Sequence, residues 1–166
     1  MQTVAIFQDY ANLDSASSSN GCRINQAELL RYLADDAEGR YLKVANAYVP
    51  IDPRQEHARD GRIADLWTSG YIVHTKVGTV AGQSYKCDFD VEMTMDMMKT
   101  AYELKPDIIV LVCGDSDFVP VVLELRKLGI RVEVASFDSS LSQLLANRCS
   151  GVISLEALVG QEATSV

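Results

Sequence analysis

Histidine is almost missing from this chain. Only His57 and His74 occur among 166 residues, which excludes a histidine-rich metal site. The four cysteines, Cys22, Cys87, Cys113 and Cys149, lie far apart and form no Cys-x-x-Cys pair. That argues against a zinc knuckle or a dithiol redox motif, and cysteines in apolar contexts behave as small core residues. Long apolar runs are absent as well: none approaches the roughly 20 residues of a membrane helix. The opening "MQTVAIFQD" has no basic segment before its apolar residues, so it does not read as a secretory leader. The expected location is the cytoplasm, with no membrane association. Positive charge is scarce, with 15 Lys and Arg against 23 Asp and Glu and a net charge of −8. Such a chain does not bind nucleic acid through its overall charge. An active centre built of carboxylates, with a local substrate patch, remains compatible with it.

A hydrophobic fraction of 48% over 166 residues suits one domain with a sizeable core. Strands are expected at Thr3–Phe7, Tyr41–Val49 (stopped by Pro50), Tyr71–Val77, Asp107–Cys113 and Ile130–Ser136, with a short last strand in "GVISLEALV". The run "DIIVLVC" is apolar throughout and suits a central strand covered on both faces, whereas "IRVEVAS" alternates and suits a position nearer an edge. Helices are expected from Asn25, which with Glu28 resembles a capping box, towards Gly39; from Pro53 to Thr68; from Phe118 to Leu128; and in "SSLSQLLANRC". The segment "FDVEMTMDMMKTAYEL" carries two periods at once. Phe89, Val91, Met93, Met95 and Met97 alternate, while Val91, Met95, Met98 and Tyr102 keep helical spacing. Its length and the closing Pro106 favour a helix buried on more than one side. The Ser/Asn/Gly-rich stretch from Tyr10 to Arg23 and the segment Gly78–Asp88 read as loops. Strands alternating with helices predict an α/β fold, a three-layer α/β/α sandwich with a mainly parallel sheet. It forms one domain over residues 1–160, with a loose tail at 161–166.

In an open parallel sheet, ligands bind beyond the carboxyl ends of the strands, where the strand order reverses. Two strand ends here carry acids. "FQDYANL" places Asp9 and Asn12 beyond the first strand, and "CGDSDF" places Asp115 and Asp117 beyond the fourth. Asp90 stands at the mouth of the helix before that fourth strand. Carboxylates that converge raise one another's pKa unless a cation neutralises them. With only oxygen donors on offer, Mg2+ or Mn2+ is the match, and such an ion activates water for attack on a phosphoryl group. Asn12 suits orienting a water or a phosphate.

Each residue also has a plainer role. Asp9 and Asn12 suit a turn, Asp117 an N-cap for a helix at Phe118, and Asp90 a cap for its own helix. Asp96, six residues beyond Asp90, is either a helper at the site or solvated. Gly114 lets the backbone turn sharply. Cys113 as a nucleophile has no histidine near it in sequence, so a core role is preferred. Arg54, His57, Arg59 and Arg62 suit phosphates, or a solvated helix balanced by Glu56, Asp60 and Asp65. Tyr10 and Tyr85 are candidates for stacking on bases. A haloacid-dehalogenase-type phosphatase needs Asp-x-Asp after the first strand, and Asp9-Tyr10-Ala11 does not supply it.

Three blocks resemble NYN domains. "VAIFQDYANL" is similar to their opening strand with Asp and, three residues on, Asn-Leu. "FDVEMTMDMM" is similar to their middle motif, and "IIVLVCGDSDFVPVVLELRKLGIRVEV" to their Gly-Asp-x-Asp-Phe block. The similarity is greatest to the bacterial LabA-like group of the PIN-like nuclease superfamily. It implies a PIN-like sandwich and a metal-dependent ribonuclease acting on RNA. The catalytic residues it implies are Asp9, Asn12, Asp90, Asp115 and Asp117; the metal ligands are Asp9, Asp90, Asp115 and Asp117, with Asp96. The chain departs from the pattern at Tyr10, where many members have Gly, at Cys113, where many have Ser or Thr, and at Cys87-Asp88, where Lys-Gly is common. Lys86 then stands one position early. A non-catalytic regulatory or scaffold protein keeping this fold, with a homodimer or protein partner, is the alternative.

Overall fold

In the computed structural model, which describes residues 1–162, strand and helix alternate along the chain. β1 (Gln2–Asp9) leads into α1 (Tyr10–Ser19), α2 (Gln26–Leu33) and β2 (Arg40–Ile51). α3 (Asp60–Ser69) and β3 (Ile72–Val77) follow, then a hairpin of β4 (Thr79–Ala81) and β5 (Ser84–Lys86). The second half runs through α4 (Asp90–Glu103), β6 (Ile108–Val112), α5 (Val119–Lys127), β7 (Arg131–Ser136), α6 (Gln143–Arg148), β8 (Gly151–Ser154) and α7 (Leu155–Glu162). Six strands pair in parallel in the order β3-β2-β1-β6-β7-β8.

Alternation along the central strands feeds two cores. Val4 and Ile6 of β1 and Ile108, Val110 and Val112 of β6 pack with Leu13, Leu29, Leu66 and Leu158 from α1, α2, α3 and α7. Ala5, Phe7, Ile109 and Leu111 pack with Met93, Val122 and Leu145 from α4, α5 and α6. This is the expected α/β/α sandwich. Each large apolar side chain so buried contributes about 1.5–3 kcal/mol. Among the described residues no helix is long and apolar enough to cross a membrane.

Several expectations change. The Tyr10–Arg23 stretch is not a loop throughout: α1 occupies its first ten residues, capped by Asp9 and buried through Tyr10, Leu13, Ala16 and Ser17. Serine-rich composition hid that spacing. Asn25 does accept the Glu28 N–H, at 3.1 Å, but α2 ends at Leu33, and Asp35 caps a short 3-10 turn before Gly39. The helix expected from Pro53 starts only at Asp60, because the Asp52 carboxylate takes the Arg54 N–H at 2.9 Å and holds a turn there. Segment 78–88 contains the β4–β5 hairpin. α4 buries one face only, Met93, Met97 and Ala101, and leaves Val91 and Met95 exposed. β7 is nearer an edge than β6, as expected, with only β8 beyond it. Its apparent alternation comes from Glu133, buried with Arg40 at 2.6 Å and Arg131 at 2.9 Å. α7 carries the chain past Gly160 to Glu162, and the rest of the expected tail lies outside the described residues.

From β1 the chain winds outward to β2 and β3. It then returns across the sheet to β6 and winds the other way to β8. The strand order therefore reverses between β1 and β6, and a crevice opens at their carboxyl ends.

Candidate metal centre

Asp9 is the last residue of β1. Counting alternately from Ala5 and Phe7, it belongs to the sheet face covered by α4. Its Oδ1 accepts the Asn12 N–H at 3.1 Å and so caps α1, where the helix dipole favours a negative charge. Its other oxygen faces the Cys113 thiol at 3.7 Å. Cys113 follows β6 and is buried; its sulfur accepts the Asp115 N–H at 3.4 Å. Burial, then the Asp9 charge, pushes this thiol well above its ordinary range. It is a neutral donor, not a nucleophile.

Gly114 is required by close approach rather than by a left-handed turn. A Cβ there would stand 2.0 Å from the Ser140 carbonyl oxygen. Its carbonyl accepts the Ser142 N–H at 2.9 Å, and its N–H donates to Asn12 Oδ1 at 3.2 Å. Asn12 thus ties α1 to the end of β6. Asp115, not Asp117, supplies the cap beyond it: its Oδ1 accepts the Asp117 N–H at 2.9 Å and heads the turn Ser116–Phe118.

Asp90 is the first residue of α4. The segment before it is fixed by Lys76, a residue that no local sequence signal marks. The Lys76 ammonium donates to the Asp88 carbonyl and to Glu92 at 2.7 Å, and lies 4.8 Å from the centre of the Phe89 ring.

These anchors bring Asp90, Asp115 and Asp117 together. One oxygen from each lies within 4.8 Å of the others. Among the described residues no lysine or arginine forms an ion pair with any of the three. Burial and then repulsion from Asp88, Asp115, Asp9 and Asp117 push the Asp90 carboxyl up to about 6. Asp9 is raised too, by burial first and by Asp115 and Asp88, against the lowering effect of the Asn12 N–H and Cys113. A set of oxygen donors held at this cost fits a hard divalent cation.

The family model described as NYN domain matches residues 3–156. The chain belongs to the NYN domain family. No curated protein matches it. Among solved structures, a protein of unknown function from Vibrio parahaemolyticus RIMD 2210633 superposes with a TM-score of 0.77 at 23% identity, over 93% of both chains. That likeness shows the shared α/β fold.

Other residues of this NYN domain fall around the triad. Asp9 stands beside it, with both oxygens engaged from within the chain. Asp96 is not brought into it: its Oδ2 accepts the Tyr48 hydroxyl at 2.7 Å. Tyr48 in turn stacks on His74 with ring centres 4.5 Å apart, and His74 Nε2 meets Asn46 Oδ1 at 3.0 Å. Tyr10 is buried in α1, not on a loop, and its hydroxyl accepts from Arg62 at 2.8 Å. Glu92 pairs with Lys76 at 2.7 Å. Arg54 bonds Asp52 through two nitrogens, and Arg62 pairs with Asp14 at 2.7 Å. His57 lies 2.9 Å from Asp60.

Proposed function

We propose that this NYN domain is a metal-dependent ribonuclease of the LabA-like group, acting in the cytoplasm on RNA. Convergence of Asp90, Asp115 and Asp117 at the reversal of strand order, without a basic partner, carries the reading. The three carboxylates would hold Mg2+ or Mn2+, which when bound polarises a phosphoryl oxygen and lowers the pKa of a water. Asp9 adds negative charge beside the ion and is oriented by the Asn12 N–H and the Cys113 thiol. Asn12, through Gly114, fixes the turn that presents Asp115 and Asp117. The expected result is hydrolysis of generic RNA with Mn2+, loss of it in EDTA, and loss of it in a folded Asp115→Asn variant. Activity surviving both treatments would overturn the site.

A second reading, a non-catalytic scaffold, is favoured by the net charge of −8 and by the thiol occupying one Asp9 oxygen. The exposed Val91, Met95 and Tyr102 on α4 would then offer a surface to a second copy or a protein partner. Calorimetry separates the two: no Mn2+ binding at millimolar metal, together with no cleavage of RNA, supports the scaffold.

A further inference from the structure

Arg59 differs from the arginines around it. Arg54 is spent on Asp52 and Arg62 on Asp14. Among the described residues no carboxylate forms an ion pair with Arg59. Its partners are all neutral. Nη1 donates to the Pro50 carbonyl and, at 3.2 Å, to the Tyr85 hydroxyl, and the guanidinium lies 5.4 Å from the centre of the Tyr10 ring. A guanidinium stays charged at every accessible pH and has five N–H donors in a planar fork. Here the fork is fixed in direction by neutral groups and no carboxylate bonds it directly, although Asp52 lies near enough to interact with its charge.

Its position follows from the residues that hold it. Tyr10 directly follows Asp9 at the end of β1. Pro50 lies near the end of β2, whose Tyr48 pairs with Asp9. Tyr85 is in β5, five residues before Asp90. Arg59 therefore stands beside β1 on the side away from β6, at the same edge of the sheet as the acids. β2, which carries Pro50, is two strands from β6, which leads into Asp115 and Asp117. Between Arg59, Tyr85 and Ile51 lies an open cavity of about 160 Å³. Asp52 and Glu56 line the same cavity, so a phosphate there is attracted only on the Arg59 side.

We infer that Arg59, set by Tyr10 and Tyr85, binds the phosphate flanking the scissile one in a single-stranded nucleic acid, with that nucleotide's base against the Tyr85 ring. The inference rests on the nuclease reading only for the identity of the polyanion. An acidic cleft repels such a strand unless a fixed cation offsets it, and stacking on an aromatic ring tolerates any base.

The test is binding of a labelled oligouridylate by fluorescence anisotropy, in Ca2+, across a salt series. Wild type is compared with Arg59→Gln, which keeps a donor for Pro50 without the charge, with Arg59→Lys, and with Lys127→Ala, an exposed cation at the end of α5, as control. Thermal melts verify that each variant is folded. Arg59→Gln is expected to weaken binding about tenfold and to flatten the dependence of log K on log[salt] by about 0.7. Arg59→Lys restores the slope, and Lys127→Ala changes neither quantity. Equal slopes for wild type and Arg59→Gln overturn the subsite and leave the nuclease reading standing. Absence of binding by wild type overturns it as well. An Arg59-dependent slope without hydrolysis in Mn2+ upholds the subsite and removes the nuclease reading.

Discussion

Asp90 carries a carboxyl pushed up to about 6, first by burial and then by four neighbouring acids. The sign of its effect follows from linkage. Between the ordinary aspartate value and 6, the folded chain keeps a proton that the unfolded chain has released. Stability from this group therefore falls as pH rises through that window, and it is lost above it. Solvent around the group screens the effect to about 1 kcal/mol. Asp90→Asn is accordingly expected to melt higher than wild type at neutral pH without metal. Mn2+ should raise the wild-type melting temperature at neutral pH, do so much less near the acidic end of the window, and not shift the variant. A variant that melts lower, or still responds to Mn2+, would contradict the cluster. Asp96 gives the opposite expectation. Its carboxylate receives the Tyr48 hydroxyl, so Asp96→Ala should cost about 1–3 kcal/mol in denaturant melts while calorimetry shows unchanged Mn2+ affinity. Loss of that affinity would make Asp96 a ligand after all.

At the scale of elements, legibility divides by where a residue's partner lies. β6 and the turn after it could be read because an apolar run followed by Gly114, Asp115 and Asp117 carries its own boundaries. The rule that strand ends converge where strand order reverses then joined Asp9 to them. α1 was hidden because its apolar residues are diluted by serines. The partner of Asp96 and the anchor of the segment before Asp90 were hidden for another reason. Tyr48 is 48 positions from Asp96, and Lys76 reaches α4 from a different strand, so no local spacing records either contact. The exchange of capping roles between Asp115 and Asp117 needed backbone geometry. Two substitutions test the elements. Gly114→Ala places a Cβ against the Ser140 carbonyl. It should cost about 1–3 kcal/mol and weaken Mn2+ binding, because the strain falls on the turn that presents the acids. Gln8 faces the other layer, where its amide donates to Gln26 at 2.8 Å and to Tyr71 at 3.0 Å. Gln8→Leu leaves both partners short of a bond and should cost about 1–3 kcal/mol, yet leave the melting shift with Mn2+ intact.

On the scale of the whole molecule, the sheet is filled from the middle outward, and its two central strands, β1 and β6, are far apart in the sequence. Asp9 and Cys113, which touch, are 104 positions apart. Contacts of such long range come with a slow loop-closure step. A fragment ending at Lys105 retains Asp9 and Asp90 but lacks β6, so β1 has only one strand neighbour left. Circular dichroism should show it unfolded, and calorimetry should show no Mn2+ uptake. The strand order therefore also sets a timetable for synthesis. A ribosome that has released the chain up to Lys105 has made Asp9 and Asp90 and no complete acidic cluster. Only when β6 emerges and slides in beside β1 can the carboxylates meet. Under the nuclease reading, the chain stays inert towards RNA until that strand has arrived.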